Sequence, residues 1–78
     1  MARNGPSPPK VRRAVREHLK RLDADQLAIY YHGRDDTVRL GSGDQQAKGP
    51  RPAVLEALEH ASGTGPDAAL DAVRAAAA

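Results

Sequence analysis

Seven consecutive residues, Tyr30-Tyr31-His32-Gly33-Arg34-Asp35-Asp36, hold both tyrosines of the chain, one of its three histidines and two adjacent carboxylates. In a catalytic arrangement His32 would act as a base, Asp35 or Asp36 would orient it, and Tyr30 would act as a donor. Such chemistry also needs a concave site with a positioned nucleophile or metal. The hydroxyls nearby, Thr37 and Ser42, have no motif around them. A turn explains the cluster better: Gly33 bends the chain, Asp35 and Asp36 engage backbone N–H groups, one tyrosine faces the core, and its neighbour and His32 face solvent. No catalytic residue is assigned, and none of the readings below is enzymatic.

The other chemical candidates are weaker. His18, His32 and His60 fall on three separate segments without ligand-like spacing, so no metal site is expected. Gly41-Ser42-Gly43-Asp44 resembles a phosphate-cradling loop in composition only, because no Gly-Lys-Ser/Thr and no helix follow it. The segment joining two C-terminal helical patterns, Ser62-Gly63-Thr64-Gly65, superficially suggests a helix-turn-helix. Its second helix opens Asp67-Ala68-Ala69, however, with Asp71 next, and an acidic N-terminus would repel phosphate. No cofactor and no small-molecule substrate are implied.

Charge carries the remaining signal. Residues 1–22 hold seven basic side chains against one acidic, a net +6, whereas residues 23–78 hold five against nine, a net −4. The whole-chain value of +2 conceals this polarity. Cysteine is absent, which excludes disulfides and thiolate ligands and fits a cytoplasmic setting. No apolar run is long enough to span a membrane, and no apolar segment follows the N-terminal basic residues as a secretory signal requires. Abundant Ala, Arg, Gly, Pro and Asp suggests a GC-rich, bacterial coding genome.

The elements that must carry these residues are few, because 78 residues allow one small domain. Residues 1–6 lack periodicity and read as a flexible basic tail. A helix is expected over about 8–22: Ser7 offers an N-cap, Pro8 suits a first turn, and Val11, Ala14, Val15, Leu19 and Leu22 share one face. Arg12, Arg13, Arg16 and Lys20 then fall on the opposite face, with Lys10 and Arg21 flanking the apolar stripe and His18 at its border.

A β-hairpin is expected over about 27–40, with Tyr31 opposite Val38, Ile29 opposite Leu40, and a four-residue loop 33–36. The competing reading of residues 27–31 is a helix capped by Asp23; enrichment in Ile, Tyr, Thr and Val favours strands. Residues 41–51 read as a polar, glycine-rich loop, with room for a short third strand near Gln45–Ala47. Helices follow over about 52–62, stopped by Ser62-Gly63, and about 66–76, with Thr64 and Asp67 as a capping pair.

The expected fold class is α+β, with a basic N-terminal helix, a β-hairpin and two C-terminal helices around one small aliphatic core. Its large members are Val11, Val15, Leu19, Leu22, Leu27, Ile29, Tyr31, Val38, Leu40, Val54, Leu55, Leu58, Leu70 and Val73. Domains of this size gain only ~3–5 kcal/mol from such a core, which leaves room for stabilisation by a homodimer. The order helix, hairpin, helix resembles that of small RNA-interferase toxins with a double-stranded-RNA-binding-like fold. The glycine-serine-histidine motif of that family is absent here, so its activity is not carried over.

Two functional readings follow. In the first, Arg3, Lys10, Arg12, Arg13, Arg16 and Lys20 neutralise phosphates of DNA or RNA, in a small nucleic-acid-binding or regulatory protein. In the second, the chain is a protein-interaction module, a homodimer or the partner of an acidic protein. A solvated helix face is the bland explanation, with Arg13–Glu17 and Glu17–Arg21 pairs absorbing part of the charge.

Overall fold

The computed structural model describes residues 7–77, in the order α1 (Pro8–Arg21), β1 (Ala28–His32), β2 (Thr37–Ser42), β3 (Gln45–Pro50), α2 (Arg51–Glu59) and α3 (Pro66–Ala77). It is an α+β fold: a three-stranded antiparallel sheet in the order β1-β2-β3, with the helices against one face. Helix α1 packs on β1 and α2, and α3 packs on β3 and α2. Among the described residues, no element covers the other face of the sheet.

Helix α1 forms where the spacing predicts it. Proline is accommodated in its first turn, and Val11, Val15 and Leu19 line its buried face. Ser7 stands at the N-cap, but its side chain makes no capping hydrogen bond; only its carbonyl is used, by the Val11 N–H at 3.1 Å. The C-terminus closes in a Schellman arrangement. The Ala24 N–H reaches the Leu19 carbonyl at 2.8 Å, the Asp23 N–H reaches that of Lys20 at 3.1 Å, and Asp23 takes the left-handed conformation at φ 57°. Asp23 therefore ends the first helix instead of capping a second, and the following segment is free to extend. The helix stops one residue before Leu22, which serves as its C-cap.

The β1–β2 hairpin has the expected register: Ile29 faces Leu40, Tyr31 faces Val38, and His32 with Thr37 closes the ladder before the four-residue loop. Residues 41–51, read above as a loop, are mostly strand. Strand β2 continues to Ser42, Gly43 and Asp44 form a two-residue turn with Gly43 at φ 59°, and β3 pairs with β2 along its whole length. Glycine at the first central position with positive φ is the type II′ requirement. Period-two patterning is almost absent from β3, because its inward positions include only Ala47 and Gly49.

Gly49 is small for a packing reason. A Cβ there would lie 3.4 Å from both Val54 Cγ2 and Ala77 Cβ, so the backbone of β3 approaches both C-terminal helices at this point. Strand pairing and helix contact, both tertiary, override the weak local β preference of Gln-Gln-Ala-Lys-Gly-Pro.

The C-terminal helices differ in detail from expectation. Helix α2 begins at Arg51, directly after β3, and ends at Glu59 rather than near Ser62, with His60 as its C-cap. The Ala61 N–H then bonds the Leu58 carbonyl at 3.4 Å as the last turn tightens, and the Gly65 N–H reaches back to the Leu22 carbonyl at 2.6 Å. Helix α3 extends to Ala77. The Ala69 N–H bonds the Gly65 carbonyl at 3.2 Å, so Gly65 occupies the N-cap position that had been expected of Thr64. Pro66 follows it in the first turn.

One buried cluster joins all six elements. It contains the expected aliphatic residues together with Ala24, Ala47 and Ala69, while Tyr31 and Leu55 pack at its edge. No polar or charged side chain is buried among the described residues.

Candidate nucleic-acid interface

Burial of Val11, Val15 and Leu19 fixes the rotation of α1 and therefore the direction of its basic residues. Lys10, Arg12, Arg13, Arg16 and Lys20 are all exposed. Arg12, Arg16 and Lys20 recur at four-residue intervals and span ~12 Å of helix axis, beside Arg13. Arg21 turns toward the border, where its guanidinium donates to His18 Nδ1 at 2.6 Å. Arg3 lies outside the described residues.

The Arg13–Glu17 and Glu17–Arg21 pairs that the solvated-face explanation invokes do not form. Ion pairs among the described residues are Arg51–Asp36 at 2.8 Å and Arg74–Asp71 at 3.3 Å, and neither involves α1. The acidic side chains of residues 23–77 likewise make no ion pair with this helix. The ridge is a set of solvated cations with the core behind it.

The Tyr30–Asp36 cluster has a structural role that the turn reading only partly anticipates. Asp36 ends the loop in the left-handed conformation at φ 54°, with its N–H on the Gly33 carbonyl at 3.3 Å. Its carboxylate accepts a forked pair from Arg51, Nε at 2.8 Å and an Nη at 3.2 Å, and the Tyr31 hydroxyl donates to it at 2.6 Å. The Asp36 carbonyl also accepts the Arg51 N–H at 2.8 Å. Asp36 thus fastens the hairpin loop to the start of α2. Its carboxylate is occupied and does not orient His32, which stands exposed on the open face of the sheet.

The same contacts set the local proton equilibria. Hydrogen bonding from Arg51, then from Tyr31, holds the Asp36 carboxyl below its usual range. Hydrogen bonding to Asp36, with some desolvation, raises the Tyr31 phenol. A depressed folded-state pKa makes the contribution of Asp36 complete at neutral pH and lost as the pH falls through that depressed value, below about 4. We expect Asp36→Asn, which tolerates the left-handed backbone, to lower the melting temperature at neutral pH and to flatten its decline in acid. Asp35→Ala should stay within about 0.5 kcal/mol of wild type. Thermal melts from neutral pH into acid test this; equal acid dependence of Asp36→Asn and wild type would remove Asp36 from the account.

His18, His32 and His60 lie on α1, β1 and the C-cap of α2, and among the described residues no group of three His, Cys, Asp or Glu side chains could hold a metal. No helix of the described residues is long and apolar enough to cross a membrane.

Strand β3 brings together a second basic surface that was not legible in the sequence. Its register places Tyr30, Arg39 and Lys48 in one cross-strand row on the open face of the sheet, flanked by His32 and Thr37 on one side and Gln46 on the other. The Arg39 guanidinium lies 4.4 Å from the Tyr30 ring centroid and donates to Gln46 Oε1 at 3.3 Å. Tyr30, at 46 % exposure, is the one large hydrophobic side chain left exposed among the described residues. The alternation of β1 marks Tyr30 as outward, but Lys48 joins it only once residues 45–50 are known to pair.

Comparison of the chain with protein-family models, curated proteins and solved structures finds no match.

Proposed function

We propose that the protein binds DNA or RNA through its N-terminal arm and the exposed face of α1, as a nucleic-acid-binding or regulatory protein without catalytic chemistry of its own. The observation that carries this reading is the ridge of Arg12, Arg13, Arg16 and Lys20, exposed on a helix anchored by its other face and free of ion pairs among the described residues. Four cations along ~12 Å of axis face a polyanion that carries one charge per ~1.7 Å, so each can meet a phosphate without rearranging the fold. Lys10, in the first turn of α1, would extend the contact toward the N-terminus, and Arg3 would add a further cation. A cysteine-free chain suits the cytoplasmic setting this role implies.

The second reading, an interaction module, draws on the same ridge as a dock for an acidic protein. A homodimer held by apolar contacts has less support, since Tyr30 alone is both large, hydrophobic and exposed among the described residues. Titration of ¹⁵N-labelled protein with duplex DNA and then duplex RNA at low salt tests the leading reading. Shifts of the α1 amides that saturate and reverse with added salt are expected. Unchanged spectra with both duplexes, under conditions where electrostatic attraction is greatest, would overturn the proposal for this helix.

A further inference from the structure

We infer that the open face of the sheet is a binding site for single-stranded nucleic acid, in which a base stacks on the layer formed by Tyr30 and Arg39 and the adjoining phosphate sits beside Lys48. This rests on the reading of the chain as a nucleic-acid binder, but it uses a different surface from α1. The core separates the two, because α1 packs on the opposite face of the sheet.

Two features specify the occupant. The first is chemical. The row Tyr30–Arg39–Lys48 combines an aromatic ring, a guanidinium already stacked on it at 4.4 Å, and an exposed ammonium group. Bases stack on aromatic rings and on guanidinium planes alike, and in a duplex those base faces are already covered by their neighbours. A ring displayed on a flat sheet therefore favours an unpaired strand over a double helix.

The second feature is shape and charge. An open depression of about 450 Å³ adjoins this row, with His32, Thr37, Arg39 and Lys48 on its walls and Asp35 at the hairpin-loop side. The outward-facing strand positions supply Arg39 and Lys48 and no carboxylate; among the described residues that line the depression Asp35 is the one carboxylate, and Asp44 lies in the turn at the far end of β2 and β3. The volume of the depression is of the size that small-ligand sites occupy. Gly49, Pro50 and Ala77 complete its lining, and His32, Thr37, Arg39 and Lys48 place polar groups around that largely apolar floor, as a base with its sugar-phosphate requires. Thr37 and Gln46 add groups able to bond sugar or base edges.

The test measures binding of short oligo-dT, short oligo-U and a blunt duplex by anisotropy, for the full chain and for Tyr30→Ala, Tyr30→Phe, Arg39→Ala and the α1 variant Arg12→Glu/Arg16→Glu/Lys20→Glu. We expect Tyr30→Ala to weaken single-strand binding roughly five- to a hundredfold and to leave duplex binding within about twofold. Tyr30→Phe should retain the affinity, since the ring rather than the hydroxyl stacks. Upfield movement of the Tyr30 ring protons with oligo-dT or oligo-U would report stacking directly.

Single-strand binding that ignores Tyr30→Ala and Arg39→Ala overturns the inference, as does duplex binding with no single-strand binding. Duplex binding lost in the α1 variant while single strands still bind through Tyr30 supports both surfaces. Single-strand binding through Tyr30 with no duplex binding by the full chain supports the sheet and overturns the α1 reading. Association of poly-glutamate through Tyr30, with no oligonucleotide binding, overturns the inference in favour of an acidic protein partner.

Discussion

Reversing Arg12, Arg16 and Lys20 to glutamate is expected to abolish binding to duplex nucleic acid while leaving the melting temperature close to that of the wild type. The three substitutions bring residues 1–22 from +6 to 0, and each places a carboxylate where a phosphate would sit. None touches the Val11–Val15–Leu19 face, and all three positions are exposed, so packing is preserved. If Arg12, Arg13, Arg16 and Lys20 each neutralise one phosphate, the wild-type log–log salt slope on duplex DNA is about −3.6, or roughly a hundredfold loss between 50 and 200 mM salt. A shallow slope, or a variant that binds as well as wild type, would sink the helix as the contact. An interaction module predicts another pattern, in which a dimer or heterocomplex persists at moderate salt in light scattering.

The largest stability effect is expected from Leu40→Ala. Leu40 sits on the central strand, fully buried, between Ile29 on β1 and Ala47 on β3. Truncating a buried leucine costs about 2–5 kcal/mol, from lost transfer energy and the cavity left behind. Set against the ~3–5 kcal/mol that a core of this size supplies, the variant should lose most of its stability. Its melting temperature should fall by roughly 10–30 °C, or the cooperative transition should vanish. Tyr30→Ala, on the opposite face of the same sheet, should melt like wild type. Circular dichroism melts of the two variants make the comparison, and a Leu40→Ala protein with an unchanged transition would mean that the described packing does not hold the fold together.

What could be read in advance follows from where the physical signal is local. The 3-1-4-3 apolar spacing from Val11 to Leu22 fixes a helix face because side chains three and four apart must share a side. The Arg12–Lys20 ridge comes with it, as its complement. The hairpin register was legible for a similar reason: Ile29 and Tyr31 on one side of Gly33, with Val38 and Leu40 on the other, are the inward positions of two alternating strands.

Charge polarity, aliphatic core membership and the turn at Gly33–Asp36 are therefore properties of the sequence by itself. Strand β3 is not. Its inward residues are Ala47 and Gly49, chosen small because α2 and α3 approach that backbone, so the close packing that makes the strand also erases its hydrophobic alternation. The end of α2 and the N-cap of α3 were displaced for a related reason, since the Gly65 N–H bonds the Leu22 carbonyl across the fold. Asp36 belongs to the same class. Its adjacency to Asp35 suggests a pair of equivalent turn residues, yet only Asp36 meets Arg51, 15 positions away, and Tyr31. The Tyr30–Arg39–Lys48 row likewise needs two strand pairings before it exists. Contacts between residues distant in sequence leave no periodic trace along the chain, and it was tertiary structure alone that decided which exposed polar residues became neighbours.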